Sequence, residues 1–203
     1  MRVVVPFDDR EPKTRLAPTL DADERAGFAA AMLGDVLAAV RDAGYTPEVL
    51  STAPLDLDTA VTVDERPLSE AVNAVLAATD DRVAVVMADL PLATAAAVSR
   101  LTDTDGGVVL APGLGGGTNA FLARHPGFRV DYHDGSYRKH REQAGTAGMT
   151  VGTVDSFRLA LDVDEPRDLV EVLLHGEGQA VTWLREAGFE LVADHSRGLQ
   201  VER

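Results

Sequence analysis

Three aspartates lie at the ends of predicted strands, and their carboxylates are the first candidates for chemistry in this chain. The apolar run 83–87 predicts a buried strand, and Asp89 comes directly after it. The run 159–166 predicts another strand that carries Asp162 and Asp164 two positions apart, hence on one face. Because ligands bind beyond the carboxyl ends of the strands of an open α/β sheet, these carboxylates lie where such an enzyme performs its reaction.

Asp89 by itself supports two interpretations of equal weight. It is either a ligand or a residue that starts a turn or caps a helix near Thr94, since aspartate is common at turns and caps. Two aspartates from separate strand ends can share one Mg²⁺, a hard cation that takes oxygen ligands together with nucleotide phosphates. The set of carboxylates therefore indicates phosphoryl or nucleotidyl transfer.

Candidate cations stand in the polar, turn-rich loop 7–20, which follows a first predicted strand over residues 2–6. A loop in this place commonly binds phosphate, but this one lacks the glycines of a phosphate-binding fingerprint. Any anion bound in this loop must therefore be held by Lys13, Arg15 and backbone amides. The alternative is a solvated loop with two surface cations; in a chain with only two lysines, we favour a functional role.

A glycine-rich stretch offers a second place for a ligand. Four of the five residues 113–117 are glycine, which lets backbone approach a ligand closely, although such a run is as often a flexible linker. Thr118 and Asn119 follow, and their side chains can bind anions or hydroxyls. Further on, Ser136 is predicted to cap a helix over 137–144 that carries the densest positive patch of the chain. That patch is either a solvated helix face or a wall that faces an anion, and its members are Arg138, Lys139, His140 and Arg141.

The elements that position these residues alternate between strands and helices. Helix 21–43 begins at a capping-box pair, Asp21 and Glu24, and ends at Gly44. It leads into strand 46–51, a unit for which a right-handed crossover is expected. The pattern predicts an α/β fold with a mostly parallel sheet covered on both faces. The remaining predicted helices are 68–78, 94–102, 167–174 and 183–187, and the remaining strands or extended pieces are 56–63, 107–111, 128–132, 149–154 and 189–192.

Composition narrows the classes of function. The 203 residues, 45% of them hydrophobic, suit one globular domain over 1–203. A formal charge of −14 repels nucleic-acid backbone and anionic membrane, so neither is expected as a partner. Scattered acidic residues and few lysines suggest a halophilic archaeal source. The absence of cysteine excludes disulfides and thiolate metal sites, and no apolar run approaches the ~20 residues of a membrane helix, so a cytoplasmic protein is expected.

The histidines show no catalytic pairing. We interpret all five as surface or helix residues, with His140 the one that merits checking. The other four are His125, His133, His175 and His195.

Several segments together resemble the 2-phospho-L-lactate guanylyltransferase family, which makes the guanylylated intermediate of coenzyme F-420 biosynthesis. The matching segments are 1–20, 87–92, 115–119, 136–140 and 161–169, in the family's order. The resemblance implies a single-domain, three-layer α/β/α fold of the nucleotide-diphospho-sugar transferase (GT-A) type, shared with molybdenum-cofactor guanylyltransferases. It also implies GTP and a small phosphorylated carboxylic acid as substrates, Mg²⁺ as cofactor, and a homodimer.

The resemblance also implies roles for individual residues. Lys13 and Arg15 would meet the triphosphate or the acceptor phosphate, and Asp89 would hold Mg²⁺ with Asp164, or with Asp162 in its place. The acceptor's phosphate and carboxylate would be bound by Gly116, Gly117, Thr118, Asn119, Ser136 and Lys139. The nucleotide would be contacted at Pro6, Leu68, Ser69 and Glu70, although the family usually has asparagine near Ser69 and threonine in place of Glu165.

Two other interpretations stay open at this point. One keeps the fold and changes the acceptor to phosphoenolpyruvate, a molybdopterin or a sugar phosphate. The other is a domain that binds a nucleotide without catalysis, against which the presence of both Asp89 and Asp164 argues.

Overall fold

The computed structural model describes residues 1–10, 12–194 and 198–203. Within these residues, seven strands form one mixed sheet. In chain order they are β1 (Arg2–Phe7), β2 (Pro47–Ser51), β3 (Ala60–Val63), β4 (Val83–Val86), β5 (Val108–Pro112), β6 (Thr118–Ala123) and β7 (Val151–Thr153).

The strand order across this sheet is β3-β2-β1-β4-β6-β5-β7. Neighbouring strands are parallel except at β6, which runs antiparallel to both β4 and β5. The mostly parallel mixed sheet predicted from the sequence is thus confirmed. The parallel strands end at one edge of the sheet, and β6 begins at that same edge.

Helices cover both faces of the sheet, as the alternation of buried residues along β1 shows. Val3 and Val5 belong to the core beneath the helices Ala22–Asp42 and Ala95–Asp103, whereas Val4 belongs to the core on the opposite face, beneath the helices Leu68–Ala77 and Ser136–Thr146. The three layers predicted from the sequence are therefore confirmed. The four helices are α1 (Ala22–Asp42), α2 (Leu68–Ala77), α3 (Ala95–Asp103) and α4 (Ser136–Thr146).

The C-terminal part packs on the outer side of α1. Phe28 and Met32 of α1 meet Val172 and Leu184 in a third core. Asp35 of α1 also accepts hydrogen bonds from the first two backbone amides of the last helix. Among the helices of the described residues, none is long and apolar enough to cross a membrane. The elements of this part are α5 (Phe157–Ala160), α6 (Asp168–His175), α7 (Gln179–Glu186) and a hairpin of β8 (Glu190–Asp194) and β9 (Gly198–Glu202).

Most predicted elements are confirmed within a few residues, including the capping box at Asp21 and Glu24. Two predicted strands are wrong: residues 128–132 pair with no strand of the described part, and in the predicted strand 159–166 the first two residues belong to a helix and residues 161–166 pair with no described strand. Leu161 and Val163, two positions apart, are both buried, as in a strand. The backbone of this stretch is bound to the turn after β4 through the hydrogen bond from the Val163 amide to the Asp89 carbonyl. Strand β6 was not predicted, since it starts directly after the glycine run.

Candidate active site

Three residues distant in the sequence meet at the edge where the parallel strands end. Lys13 lies in the loop after β1, Asp89 in the turn after β4, and Asp164 in the extended stretch before α6. The Lys13 Nζ lies 2.6 Å from Asp89 Oδ2 and 3.0 Å from Asp164 Oδ1. Arg15 Nη1 lies 3.3 Å from Asp164 Oδ2. The basic loop and the carboxylates predicted from the sequence therefore form one cluster.

Lys13 reaches the carboxylates from a strained backbone. Its φ of 52° places it in the left-handed region, which costs a non-glycine residue about 1–2 kcal/mol. A 3-10 turn, Thr14–Leu16, follows at once, and the fully buried Leu16 fixes the loop against the third core. Strain of this kind concentrates at functional sites, where the surrounding structure holds it in place.

The cluster is partly withdrawn from water. The side chain of Lys13 is 13% exposed, and its burial lowers its pKa. The carboxylates of Asp89 and Asp164 more than offset this effect, so the pKa of Lys13 is raised and its amine stays charged. Asp89 Oδ1 is buried and has no hydrogen-bond partner among the described residues, so one acceptor of the cluster is left for a ligand.

Asp89 does not cap the next helix. The hydroxyl of Thr94 caps α3 by accepting a hydrogen bond from the Ala97 amide. The turn between them is closed by a bond from the Ala93 amide to the Leu90 carbonyl. The interpretation of Asp89 as a helix cap is therefore wrong.

Asp162 faces the same cluster but is held by a neighbour. Asn119 Nδ2 donates to Asp162 Oδ1 and to the Ala160 carbonyl, both at 3.1 Å. Burial raises the pKa of Asp162, the Asn119 amide opposes this, and the nearby charges of Asp89 and Asp164 raise it further. The side chain of Asn119, predicted to bind the acceptor, is thus buried and engaged within the protein.

Asp168 positions Asp164, a role that is not among those predicted from the sequence. Its Oδ2 accepts hydrogen bonds from the backbone amides of Asp164 at 2.9 Å and Glu165 at 2.7 Å. Both amides belong to the turn that leads into α6. The signal was present, because an aspartate three or four residues after a turn is well placed to bind its free amides.

The glycine-rich loop is backed by a buried network of hydrogen bonds. His140 Nε2 accepts from the Asp131 amide at 2.8 Å, so Nδ1 carries the proton that it shares with Thr118 Oγ1 at 2.9 Å. The Thr118 amide in turn donates to Ser136 Oγ. The side chains of Thr118 and Ser136 are therefore buried, and the backbone of Gly116 and Gly117 is the more exposed part of this loop.

The positive patch does not form a wall. Arg138 pairs with Glu142, and Lys139, a predicted acceptor ligand, pairs with Asp131 at 3.0 Å. His140 is fully buried, and burial lowers its pKa to about 4. The guanidinium of Arg141 lies over the Tyr137 ring, 5.8 Å from its centre. The prediction that these cations converge on one anion is wrong, because each is engaged with a different neighbour. Ser136 is also the first residue of α4 and not its cap, which is Gly135.

The other histidines fall outside the cluster or outside the described residues. His125 and His133 are exposed, and His175 lies in α6. His195 lies outside the residues that the structure describes.

The charged cluster opens into a central cavity of about 310 Å³. A second cavity of about 380 Å³ shares Pro6, Arg10 and Met87 with it. A third, of about 560 Å³, shares Arg15 and Asp164 with it, and Gly115 lines this third cavity. The site therefore comprises three neighbouring cavities that share lining residues, with Lys13 at the central one.

Only some of the predicted nucleotide contacts line these cavities. Pro6 and Leu68 line the second cavity. Ser69 instead uses its hydroxyl to accept from the Tyr132 amide at 3.0 Å, and Glu70 is exposed. Among the described residues that line the second cavity, neither Ser69 nor Glu70 appears.

Comparison with known proteins relates the whole chain to one family. The family described as "Guanylyl transferase CofC like" matches residues 1–203. A protein of Halomicrobium mukohataei named 2-phospho-L-lactate guanylyltransferase is 65% identical over 195 residues, 96% of both chains. A protein of the same name from Haloarcula marismortui is 58% identical over 207 residues, 100% of this chain and 99% of its own. Both sources are halophilic archaea, in agreement with the source suggested by composition.

Solved structures share the fold at low sequence identity. A protein of Desulfovibrio desulfuricans assigned to the nucleotide-diphospho-sugar transferases superposes with a TM-score of 0.72 and 19% identity, over 92% of this chain and 95% of that one. The 2-C-methyl-D-erythritol 4-phosphate cytidylyltransferase of Thermus thermophilus superposes with a TM-score of 0.55 and 17% identity, over 91% of this chain and 98% of that one. These matches support the predicted fold type.

Proposed function

The chain belongs to the CofC-like guanylyl transferase family, and we propose that it transfers the guanylyl group of GTP to 2-phospho-L-lactate. An oxygen of the acceptor's phosphate forms a bond to the α-phosphorus of GTP. The bond from that phosphorus to the β-phosphate oxygen breaks, and pyrophosphate leaves. The product is lactyl-2-diphospho-5'-guanosine, an intermediate of coenzyme F-420 biosynthesis.

The observation that carries this proposal is the contact of Lys13 Nζ with both Asp89 and Asp164. It brings one cation and two carboxylates to the edge of the sheet where an α/β fold binds its ligands. A site of this composition suits the transfer of a phosphorus group, in which charge neutralisation and positioning do most of the work.

The residues fit Mg²⁺. In the described part of the chain, no group of three or more histidine, aspartate or glutamate side chains is placed to hold a metal. Mg²⁺ commonly takes only one or two carboxylates and completes its shell with water and phosphate oxygens. Asp89, whose Oδ1 lacks a partner, and Asp164 would supply them, with Asp162 alongside. When bound, the ion would neutralise charge on the phosphates of the nucleotide.

The chain's own side chains would align the two substrates. Lys13 would turn from the carboxylates to the phosphates of GTP in the central cavity, where its positive charge opposes the charge that builds on the leaving pyrophosphate. The acceptor phosphate is already an anion near neutral pH, so Asp89 need not act as a base. Arg15 and Arg167 line the third cavity and suit the acceptor's phosphate and carboxylate. Assembly as a homodimer and a cytoplasmic location stay predictions.

The test is acceptor-dependent turnover. Protein, GTP and Mg²⁺ are incubated at high salt with 2-phospho-L-lactate, phosphoenolpyruvate or a molybdopterin, and the guanylylated product is detected by mass. We expect product and pyrophosphate with 2-phospho-L-lactate and loss of both in Asp89→Asn. The control is Asp103→Asn, an exposed aspartate of α3. Turnover with a molybdopterin alone, or full activity of Asp89→Asn, contradicts the proposal.

A further inference from the structure

The second cavity has the character of a base-binding space. Its lining is mostly apolar, and at about 380 Å³ it is in the size range of small-ligand pockets. It shares Pro6 and Met87 with the central cavity, so a nucleotide whose phosphates reach Lys13 is placed to extend its base toward it. Its apolar surface comes from Leu50, Pro67, Leu68, Ala71 and Met87.

One cationic side chain on this cavity is held in a fixed orientation. Asp64, 13% exposed, accepts from the backbone amide of Arg66 at 3.1 Å, from its Nε at 2.9 Å and from its Nη2 at 2.5 Å. These side-chain contacts use the Nε hydrogen and one hydrogen of Nη2. The guanidinium therefore keeps both hydrogens of Nη1 and the second of Nη2 for a ligand. Its side chain is 52% exposed, so a ligand can reach it.

A second aspartate–arginine pair of the same spacing lines the cavity but lies elsewhere on the nucleotide's path. Asp8 accepts from the backbone amide of Arg10 at 3.1 Å and from its Nε at 3.4 Å. Arg10 lines both the central and the second cavity, whereas Arg66 lines the second alone. Arg10 is thus placed for the phosphate or ribose, and Arg66 for the base.

We propose that Arg66, oriented by Asp64, selects guanine by donating hydrogen bonds from Nη1 and Nη2 to O6 and N7 of the base. Guanine presents two adjacent acceptors on this edge, which a guanidinium matches in bidentate fashion. Adenine presents an amino group in place of O6, so its donor would face a donor. The inference rests on the proposed function, since it assumes that a guanine nucleotide occupies the site.

The test is equilibrium binding of nucleotides with Mg²⁺ at high salt, by calorimetry, without acceptor. Arg66→Gln should weaken GTP by about 10- to 100-fold and leave ATP nearly unchanged. ITP keeps O6 and N7, so its affinity should fall in Arg66→Gln by the same factor as that of GTP. 7-Deaza-GTP lacks N7 and should bind wild type more weakly than GTP does, whereas Arg66→Gln should scarcely distinguish the two. The control is Arg100→Gln, an exposed arginine of α3.

Each outcome separates the inference from the function on which it rests. Equal losses for GTP and ATP in Arg66→Gln would mean that the arginine contributes charge without reading the base. Unchanged GTP binding in that variant overturns the inference while acceptor-dependent turnover stays intact. A wild type that neither prefers GTP nor forms guanylylated product removes the proposed function itself. A urea midpoint equal to that of wild type shows that each variant is folded.

Discussion

Lys13 neutralises two carboxylates that would otherwise repel each other across the site. Its ammonium contacts both Asp89 and Asp164, and the pair of carboxylates more than offsets the effect of burial on its pKa. A phosphate group that enters the central cavity competes for the same ammonium. The positive charge of Lys13 is thus held by the carboxylates without substrate and is available to a phosphate when substrate binds.

Replacing Lys13 by methionine should therefore lower kcat for pyrophosphate release by about 100- to 1,000-fold, the usual effect of removing one preorganised donor. The methionine keeps an unbranched side chain, one atom shorter, and removes the charge. Arg185→Met, at an exposed position of α7, is the control. A Lys13→Met protein with wild-type kcat would show that the cluster is structural only.

His140 should make stability depend on pH. Burial lowers its pKa to about 4 from an ordinary value of 6.5, so between these values the unfolded chain binds more protons than the folded one. The contribution of neutral His140 is therefore present at pH 7 and is lost as the pH falls through 6.5 toward 4. We expect about 2 kcal/mol less stability from this group at pH 5 than at pH 7.

The measurement is urea unfolding of wild type and His140→Gln at both pH values. The glutamine does not titrate, so the drop between pH 7 and pH 5 should be smaller in the variant by that amount. Identical drops would mean that other groups cause the loss of stability in acid.

At the scale of elements, one carboxylate of α1 holds the first amides of α7, beside the apolar contact between the two helices. Asp35 accepts from the amides of Gln179 at 2.5 Å and Ala180 at 2.9 Å, and a Cβ on Gly178 would collide with that carboxylate. Asp35→Ala should lower the free energy of unfolding by about 2 kcal/mol, because it leaves two helix-end amides without an acceptor. Urea unfolding measures this, with the exposed Asp42→Ala of the same helix as control. Equal midpoints for the two variants would contradict a capping role.

Elements with a strong local signal could be predicted from the sequence. The capping box at Asp21 and Glu24 marked the start of α1, and the apolar run 83–87 indicated β4 and hence the place of Asp89. The stretch around Val163 has the residue pattern of a strand, and its burial does alternate. Whether a stretch pairs with a neighbouring strand depends on the fold, and the local sequence pattern alone does not determine it.

In the site as well, residues with a local sequence signal could be predicted, whereas contacts that depend on the fold could not. Lys13, Asp89 and Asp164 could be predicted because each has a charge and lies at the end of a predicted strand or in the loop that follows one. The inward contact of Asn119 could not, since it depends on where Ala160 and Asp162 pass in space. The pairing of Lys139 with Asp131 likewise depends on how the chain before α4 folds back on the helix, whereas the i,i+4 pair of Arg138 and Glu142 follows from helical spacing.

At the scale of the whole molecule, the excess of acid sets the conditions under which the fold is stable. The chain carries 33 acidic and 19 basic side chains, a formal charge of −14. Self-repulsion of this charge opposes the compact state. Screening by salt weakens this repulsion.

Salt should therefore stabilise the protein by screening. The Debye length falls from about 10 Å at 0.1 M to about 3 Å at 1 M, so the urea midpoint should rise between 0.1 M and 1 M KCl. Asp56 and Asp58 are exposed in the loop before β3, and replacing both by asparagine should raise the midpoint at 0.1 M KCl and reduce the gain from salt. Sucrose strengthens burial without screening charge, so it should stabilise wild type and the double variant equally. An equal gain from KCl in both proteins would show that salt acts through hydration of the core and not through the charge of the surface.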